Sequence, residues 1–403
     1  MAETVKTLVS GIGCICAAGR TLAETWQNLA NGEPPAPSPP ERLLKLARSL
    51  NLGEMSQPAF TVNDDCFPDG FSHTARDTLA LAGAAADEAL AMAGLEADEL
   101  AGDRSGIIVG STAGNALHFL EDYAALTKKA AAAGTGFRDF FDCNPALALA
   151  EKFKISGPVL TVGDACCSGT DAVGLGLELI ASGRCDRVLA GGADALSLVP
   201  YIGFRRLMIY SNEPCRPFDR ERKGLNLGEG AGFLMLESEA ALEKRNGRAL
   251  AELLGYGAAA DGHHLTAPHP EAAGLRRAIR SALLRAGILP DSLAFVNAHG
   301  TATPDNDRVE ALALCSETPD VPVWAVKGST GHTLGAAGGV EAVLTAAALQ
   351  YGVLPPSRGF FHEDSSLGLR PTEFSRPITG SAAMSVSLGF GGGNAALIFG
   401  RIK

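Results

Sequence analysis

Three segments of this 403-residue chain share one construction: a short apolar run typical of a buried strand, a turn of small residues, and then a helix-like stretch. In the first, the run VLTV (159–162) precedes the turn GDACCSGT and an Ala/Gly-rich stretch over 171–183. The other two carry the turns NAHGTATP and KGSTGHTLG. Strand runs alternating with helical stretches predict an α/β fold, in which polar groups at three such turns can converge on one pocket.

The first turn places Cys166 between a strand and a helix N-terminus, where unpaired backbone N–H groups and the helix dipole favour thiolate over thiol. Cysteine is also common in protein cores, and this chain has nine, so Cys166 alone does not identify a nucleophile. His299, His332 and Lys327 in the other turns shift the balance towards a catalytic site. Cys167 is adjacent to Cys166 and cannot face the same pocket.

The order of apolar and helical stretches predicts two similarly built halves that meet near residue 245. We expect a loop with no function at the Pro-rich segment 33–43, and the walls of the pocket on loops such as 113–142. Predicted first-half elements are strands at 7–13, 105–111, 159–162 and 187–195, with helices at 75–93 and 171–183. Those of the second half are strands at 249–259, 293–296, 383–388 and 394–400, with helices at 272–287 and 338–350.

Composition sets broader limits on function. The net charge of −11 argues against nucleic acid, which requires a basic face. The sequence has no uninterrupted apolar run of about 18 residues and starts directly with a strand, so we expect neither a membrane span nor an export signal. Nine cysteines without disulfide or zinc-finger spacing fit a reducing cytoplasm. We expect no metal and no cofactor, since the sequence has no metal-ligand cluster and no Walker loop.

Several collinear segments resemble the β-ketoacyl-acyl carrier protein synthases, and most closely their elongating Cys-His-His class. They are DACCSG, RPFDRERKGLNLGEGAG, DGHHLTAP, NAHGTATPDND, KGSTGHTLGAAG and the glycine-rich ending SVSLGFGGGNAALIF. The resemblance covers almost the whole chain and implies a thiolase-like fold, with two similar α/β halves in a five-layered αβαβα arrangement. The halves would be 1–245, carrying the nucleophilic cysteine, and 246–403, carrying both catalytic histidines.

The same resemblance implies a decarboxylative Claisen condensation. Cys166 would take an acyl group from a carrier thioester, and a malonyl carrier would then extend it by two carbons with loss of CO₂. Backbone N–H groups of Cys166 and Phe390 would hold the oxyanion, while His299 and His332 would donate to the malonyl thioester oxygen. This chemistry needs no cofactor.

Other positions carry supporting roles in the resemblance. Lys327 would orient the turn of the second histidine, with Glu341 as its partner. Asp307 and Glu310 would hold the His299 loop rather than perform chemistry. Matches to substrate-contacting positions are Phe390 as a gate, Phe204 in the acyl pocket, and Thr301 and Thr303 at the phosphopantetheine arm.

The sequence also departs from the resemblance. Asp164 stands where a small residue is usual, and its charge would disfavour the Cys166 thiolate unless the side chain points away. Segment 72–83 keeps only Arg76 where related enzymes carry several basic residues for an acidic carrier. Candidates for a replacement docking patch are Lys128, Lys129, Arg138, Arg205 and Arg206.

Three other readings compete with an elongating synthase. A thiolase would have a second cysteine near Phe390, and an initiating synthase would have asparagine in place of His332. A non-catalytic subunit such as a chain-length factor would have lost the cysteine, and the intact Cys166 argues against it. A non-catalytic or partner-dependent subunit of this type nevertheless stays the alternative reading. We therefore expect a cytoplasmic condensing enzyme of fatty acid or polyketide synthesis, an acyltransferase that acts on acyl carrier protein. We expect it to form a homodimer or a heterodimer with a related subunit.

Overall fold

The computed structural model describes residues 5–31, 36–62, 76–112 and 144–402. The strands are β1 (Thr7–Cys16), β2 (Ser105–Gly110), β3 (Val159–Val162), β4 (Arg187–Asp194), β5 (Gly230–Ser238), β6 (Ala251–Ala260), β7 (Leu293–Ala298), β8 (Val323–Ala325), β9 (Val353–Leu354), β10 (Arg376–Pro377), β11 (Ala382–Leu388) and β12 (Gly393–Arg401). The helices are α1 (Leu22–Ala30), α2 (Glu41–Ser49), α3 (Arg76–Ala93), α4 (Pro145–Lys152), α5 (Ser168–Ala181), α6 (Leu198–Arg206), α7 (Glu239–Lys244), α8 (Ala273–Ala286), α9 (Pro304–Glu317), α10 (Lys327–Thr330) and α11 (Ala337–Tyr351).

Local sequence explains where several helices begin and end. The Asn144 side chain accepts hydrogen bonds from the first backbone N–H groups of α4, and Pro145 takes the first helical position. Helix α8 ends at Gly287, whose φ of 66° lies in the left-handed region that closes helices. Strands β4 and β5 are buried almost throughout, which fits apolar runs covered by helices on both faces.

The main sheet has the strand order β3-β2-β4-β5-β1-β6-β12-β11-β7-β8. The sheet consists of two groups of five strands, β1–β5 and then β6, β7, β8, β11 and β12, and both groups follow one plan. Counted along the chain, the second, third and fourth strands of each group are parallel, and the fifth runs antiparallel between the fourth and the first. The groups join where β1 meets β6, at the pair Leu8 and Glu252. The chain thus contains two similar α/β halves, and the boundary at residue 245 stays a prediction.

Helices α5 and α11 lie between the two groups of strands, and each contacts strands of both. Helices α3 and α4 cover the outer face of the first group, and α8 covers β6 and β12 of the second. The backbones of α5 and α11 nearly touch close to their N-termini. A Cβ on Gly169 would lie 2.5 Å from the Gly339 nitrogen, so only glycine fits there. This contact brings the turn before α5 close to the turn before α11.

The predicted strands and helices are present, with ends displaced by a few residues. The prediction for 33–43 was wrong at its C-terminal end. Residues 41–43 begin α2, and Leu43 is buried, because an apolar face follows directly after the prolines. Strand β5 was not predicted from the sequence. Across the described ranges, no helix is both long and apolar enough to cross a membrane.

Candidate active site

Cys166 lies in a single 3₁₀ turn, Ala165–Cys167, between β3 and α5. The turn has a strained backbone, since Ala165 has a φ of 44°. The Ser168 hydroxyl braces it by accepting from the Asp164 nitrogen at 2.8 Å and donating to the Ala165 carbonyl at 2.6 Å. A sharp, braced turn holds the Cys166 thiol in a fixed position at the end of the strand.

The three turns converge at this thiol. The His332 Nε2 atom lies 3.1 Å from the Cys166 Sγ atom. The rings of His299 and His332 are perpendicular, with centroids 5.2 Å apart. All three side chains are buried, so the reacting groups are gathered in a site that excludes bulk water.

Lys327 is the polar neighbour of His299. Its Nζ atom lies 3.2 Å from His299 Nδ1, donates to the His299 carbonyl at 2.5 Å, and donates to the Glu341 carboxylate. An ammonium group can only donate, so Nδ1 accepts and the proton of neutral His299 is on Nε2. We expected the Lys327 side chain to act on the turn of His332; instead, only its backbone carbonyl does, by accepting from the Gly331 nitrogen.

Burial lowers the pKa of His299 and of His332 well below the ordinary value, and the nearby Lys327 charge lowers both further. Both imidazoles are therefore neutral N–H donors at pH 7. Burial raises the pKa of the Cys166 thiol to about 12, opposed by the Lys327 charge and the Phe390 backbone N–H. Desolvation therefore opposes the thiolate that a helix N-terminus favours.

Two buried carboxylates brace the His299 loop. Glu310 accepts from the backbone nitrogens of His299 and Gly300, at 2.6 and 2.8 Å. Asp307 accepts from the nitrogen of Ala302, at 3.1 Å. Ala302 itself has a φ of 66°, so the loop needs this support to hold its conformation.

The thiol opens into a pocket of about 110 Å³. The rings of Phe204 and Phe390 stack along its wall, with centroids 5.4 Å apart. Thr301 and Thr303 line another part, with their hydroxyls 2.9 Å apart. The sequence-predicted residues that line the pocket are Cys166, His299, His332, Thr301, Thr303, Phe204 and Phe390.

Family comparisons fit this arrangement. The family model for the β-ketoacyl synthase N-terminal domain matches residues 6–241, and the model for the C-terminal domain matches residues 250–361. This chain belongs to the β-ketoacyl synthase family. It is 32% identical to 3-oxoacyl-[acyl-carrier-protein] synthase 2 of Synechocystis sp., over 100% of this chain and 99% of the relative.

Solved structures agree with the predicted fold class. A type II polyketide ketosynthase, solved in complex with its acyl carrier protein and bound to a hexaketide, has a TM-score of 0.89 and 25% identity, covering 99% of this chain and 100% of its own. The ishigamide ketosynthase/chain length factor has a TM-score of 0.83 and 29% identity, covering both chains fully. The predicted thiolase-like α/β class is confirmed.

In this β-ketoacyl synthase, Asp164 faces away from the nucleophile. Its carboxyl group lies against Gly393, where a Cβ would be 2.5 Å from Oδ2, and within hydrogen-bonding reach of Asp171. Tyr256 donates to Asp171 at 2.8 Å. Burial raises the pKa of the Cys167 thiol well above its ordinary value, and both carboxyl groups add to the rise. Cys167 is fully buried and, unlike Cys166, does not line the pocket.

The docking candidates are only partly described. Arg205 and Arg206 lie in the last turn of α6, half-buried and exposed respectively. Lys128, Lys129 and Arg138 lie outside the described residues, as does the whole of loop 113–142, and the Arg76 side chain is likewise not described.

The sequence reasoning missed Asp194, a buried carboxylate at the end of β4. It accepts a hydrogen bond from the Gly335 nitrogen, three residues after His332, at 2.7 Å. The available signal was an acidic residue closing the otherwise apolar run RVLAGGAD.

Among the described residues, two donor sets are close enough to hold a metal ion: Cys166, His299 and His332, and Asp219, Glu221 and His362. The first set is the pocket itself, and its soft donors suit Zn²⁺, which would occupy the thiol and compete with acyl transfer. In the second set, Asp219 already accepts from the backbone nitrogens of Phe361 and His362.

Proposed function

We propose that this chain is a 3-oxoacyl-[acyl-carrier-protein] synthase that joins a Cys166-bound acyl group to a malonyl thioester in fatty acid or polyketide synthesis. The observation that carries this proposal is the meeting of one thiol and two neutral imidazoles in a single buried pocket, with Cys166 Sγ and His332 Nε2 3.1 Å apart. The named relatives act on acyl carrier protein, and the full-length match supports the same carrier here.

In the first half-reaction, Cys166 Sγ attacks the carbonyl carbon of the acyl thioester. The new S–C bond forms as the carrier's sulfur leaves, and that sulfur takes up a proton to replace the one that the Cys166 thiol gives up. The backbone N–H groups of Cys166 and Phe390 are the proposed donors to the oxyanion. Gly389 packs against the Cys166 turn, since a Cβ there would lie 3.2 Å from the Asp164 carbonyl oxygen and 3.5 Å from the Cys166 nitrogen.

In the second half-reaction, the bond between the malonyl α-carbon and its carboxylate breaks, CO₂ leaves, and the electron pair moves onto the thioester oxygen. The Nε2–H groups of His299 and His332 stabilise this enolate, and the Lys327 ammonium adds positive charge behind His299. The α-carbon then attacks the acyl–Cys166 carbonyl, and the Cys166 sulfur leaves and recovers a proton. The product is a carrier-bound 3-oxoacyl group, longer by two carbons.

We also propose that the chain works as a dimer, with a second copy or a related ketosynthase-like subunit. Among the described strands, β3 lies at the edge of the sheet, where its outer side can pair with a strand of a second subunit. Leu160 on β3 is 43% exposed, so this edge presents an apolar side chain that a second subunit could cover. A ketosynthase of Xenorhabdus doucetiae, 29% identical to this chain, was solved in complex with its chain length factor.

The test is the intact mass of the purified protein after incubation with acyl-carrier thioesters. We expect an acyl adduct on the wild type and on Cys167→Ala, and none on Cys166→Ala. A matching assay with malonyl carrier would follow CO₂ release and the 3-oxoacyl product. The proposal fails if no acyl group of any length is transferred by folded protein, alone or with a related subunit; that result would favour a non-catalytic subunit.

A further inference from the structure

We propose that Asp194 is a positioning residue of the condensation: it anchors the turn that follows His332 against the end of β2. The inference rests on the proposed function, because it assigns His332 to the decarboxylation step. Asp194 does not line the pocket and would act only through the residues that it holds.

The Asp194 carboxylate joins two segments that are far apart in sequence. Its Oδ1 atom accepts from the Ser111 hydroxyl at 2.6 Å. Its Oδ2 atom accepts from the Thr112 nitrogen and hydroxyl, both at 3.0 Å, and from the Gly335 nitrogen at 2.7 Å. Four donors on one buried carboxylate fix the residues after β2 and the turn after His332 relative to each other.

The backbone packing around this carboxylate leaves no room for adjustment. A Cβ on Gly335 would lie 2.5 Å from the Thr112 nitrogen and 2.8 Å from Asp194 Oδ2. A Cβ on Gly192 would lie 2.6 Å from the Gly335 carbonyl oxygen. Because only glycines fit at these contacts, a displaced turn would have to move as a unit, and His332 would move with it.

The other side of His332 has its own anchor. Its backbone nitrogen donates to the Asn226 carbonyl at 2.8 Å, and its carbonyl accepts from the Gly228 nitrogen at 2.9 Å. Asp194 holds the C-terminal side through Gly335. Losing Asp194 should therefore shift or loosen the imidazole without releasing the segment altogether.

The same carboxylate has a second, separable effect through its charge. Burial raises the pKa of Asp194 to about 6, against the hydrogen bonds that it accepts, so it is ionised at pH 7. Burial is the main cause of the high pKa of the Cys166 thiol, and the Asp194 charge raises that pKa further. Position and charge can be tested apart, because an amide keeps most of the hydrogen bonds and removes the charge.

The experiment compares Asp194→Ala and Asp194→Asn with the wild type. In Asp194→Ala we expect malonyl decarboxylation to fall about a hundredfold, as for a misplaced catalytic group, while single-turnover acylation of Cys166 falls far less. In Asp194→Asn the amide oxygen can replace Oδ2, and the Ser111 hydroxyl can rotate to accept from the amide, so decarboxylation should be largely retained.

The charge effect is measured by the rate of Cys166 alkylation with iodoacetamide across pH. At pH 7 and above, Asp194→Asn should react faster than wild type, since removing the negative charge lowers the thiol pKa. The difference should close as the pH falls through about 6, where Asp194 itself becomes neutral. Glu88→Gln is the matched control, since Glu88 accepts from the backbone nitrogens of Cys14 and Leu22 and has no contact with the pocket.

Equal losses of acylation and decarboxylation in folded Asp194→Ala would overturn the positioning role, as would no loss at all. If Asp194→Ala does not fold, Thr112→Val, which removes one donor to Oδ2, should show the same split at smaller amplitude, and no split there would also overturn it. Unchanged alkylation in Asp194→Asn would overturn the charge effect. If the proposed function itself is wrong, the wild type will show neither acylation nor decarboxylation, while the alkylation comparison remains readable.

Discussion

The two halves of the sheet share one strand plan but supply opposite chemistry at equivalent places. The third strand of the first half, β3, leads into the Cys166 turn, and the third strand of the second half, β8, leads into Lys327 and His332. Carboxyl groups surround the turn that holds Cys166, and the main cation near its thiol, Lys327, comes from the second half. Burial raises the pKa of the Cys166 thiol, and the two groups that oppose this rise, the Lys327 charge and the Phe390 backbone N–H, both belong to the second half.

Among the variants that test this dependence of Cys166 on the second half, Lys327→Met should have the largest effect. It removes the cation that opposes the high pKa of Cys166 and leaves the Glu341 carboxylate buried without its partner. We expect the free energy of unfolding to fall by about 3–5 kcal/mol and decarboxylation to fall by about 10²–10³-fold. Chemical denaturation and a CO₂-release assay measure the two effects.

The double variant Lys327→Met/Glu341→Gln separates stability from chemistry. Replacing the unpaired carboxylate by a neutral amide should restore much of the lost stability, because the buried charge is gone. Activity should stay low, since the cation near His299 and Cys166 is still missing. Recovery of activity together with stability would mean that the Lys327 charge has no part in the reaction.

The next test separates the two half-reactions. In His299→Ala, the enolate loses one donor, so decarboxylation should fall by about 10²–10³-fold while acylation of Cys166 persists. His299→Gln keeps an N–H donor on the side chain and should recover part of the loss. Rapid-quench measurement of acyl-enzyme and of CO₂ gives both rates, and a parallel fall in the two would contradict the assignment of His299 to the second half-reaction.

A smaller effect is expected from Phe390→Ala. The substitution keeps the backbone N–H that favours the Cys166 thiolate and removes only the ring stacked on Phe204. If the ring gates the malonyl side, the variant should release CO₂ from malonyl carrier before Cys166 is acylated, whereas the wild type should not. Phe204→Ala is the control, because it removes the other ring of the stack. The same premature release from both variants would assign the effect to a widened pocket.

Much of this site could be predicted from the sequence, because its turns are local. Strand, small-residue turn and helix are encoded within about 20 residues, and they placed Cys166, His299 and His332 correctly at strand ends. What failed depends on distant neighbours. The partner of the Lys327 side chain is set by how β7 and β8 pack, and the pKa of Cys166 is raised by burial, which no local pattern reports.

Asp194 and Asp164 show the same limit from two directions. Asp164 is two residues from Cys166 in sequence, yet its carboxyl group turns to Asp171 and Gly393. Asp194 is 28 positions away along the chain, yet its charge acts on the thiol. The sequence left open whether Asp164 points away from Cys166, which it does, and it gave no sign that Asp194 acts on the thiol.

The smallest expected effect follows from that contrast. Asp164→Asn should change the alkylation rate of Cys166 less than Asp194→Asn does, because the Asp164 charge faces Cys167 rather than the nucleophile. It should instead lower the pKa of Asp171, which burial and the neighbouring Asp164 together raise to about 7. Carboxyl titration by NMR and alkylation kinetics measure these two effects. If Asp164→Asn accelerated the alkylation of Cys166 as much as Asp194→Asn, proximity in sequence would have been the better guide to the carboxylate that opposes the thiolate.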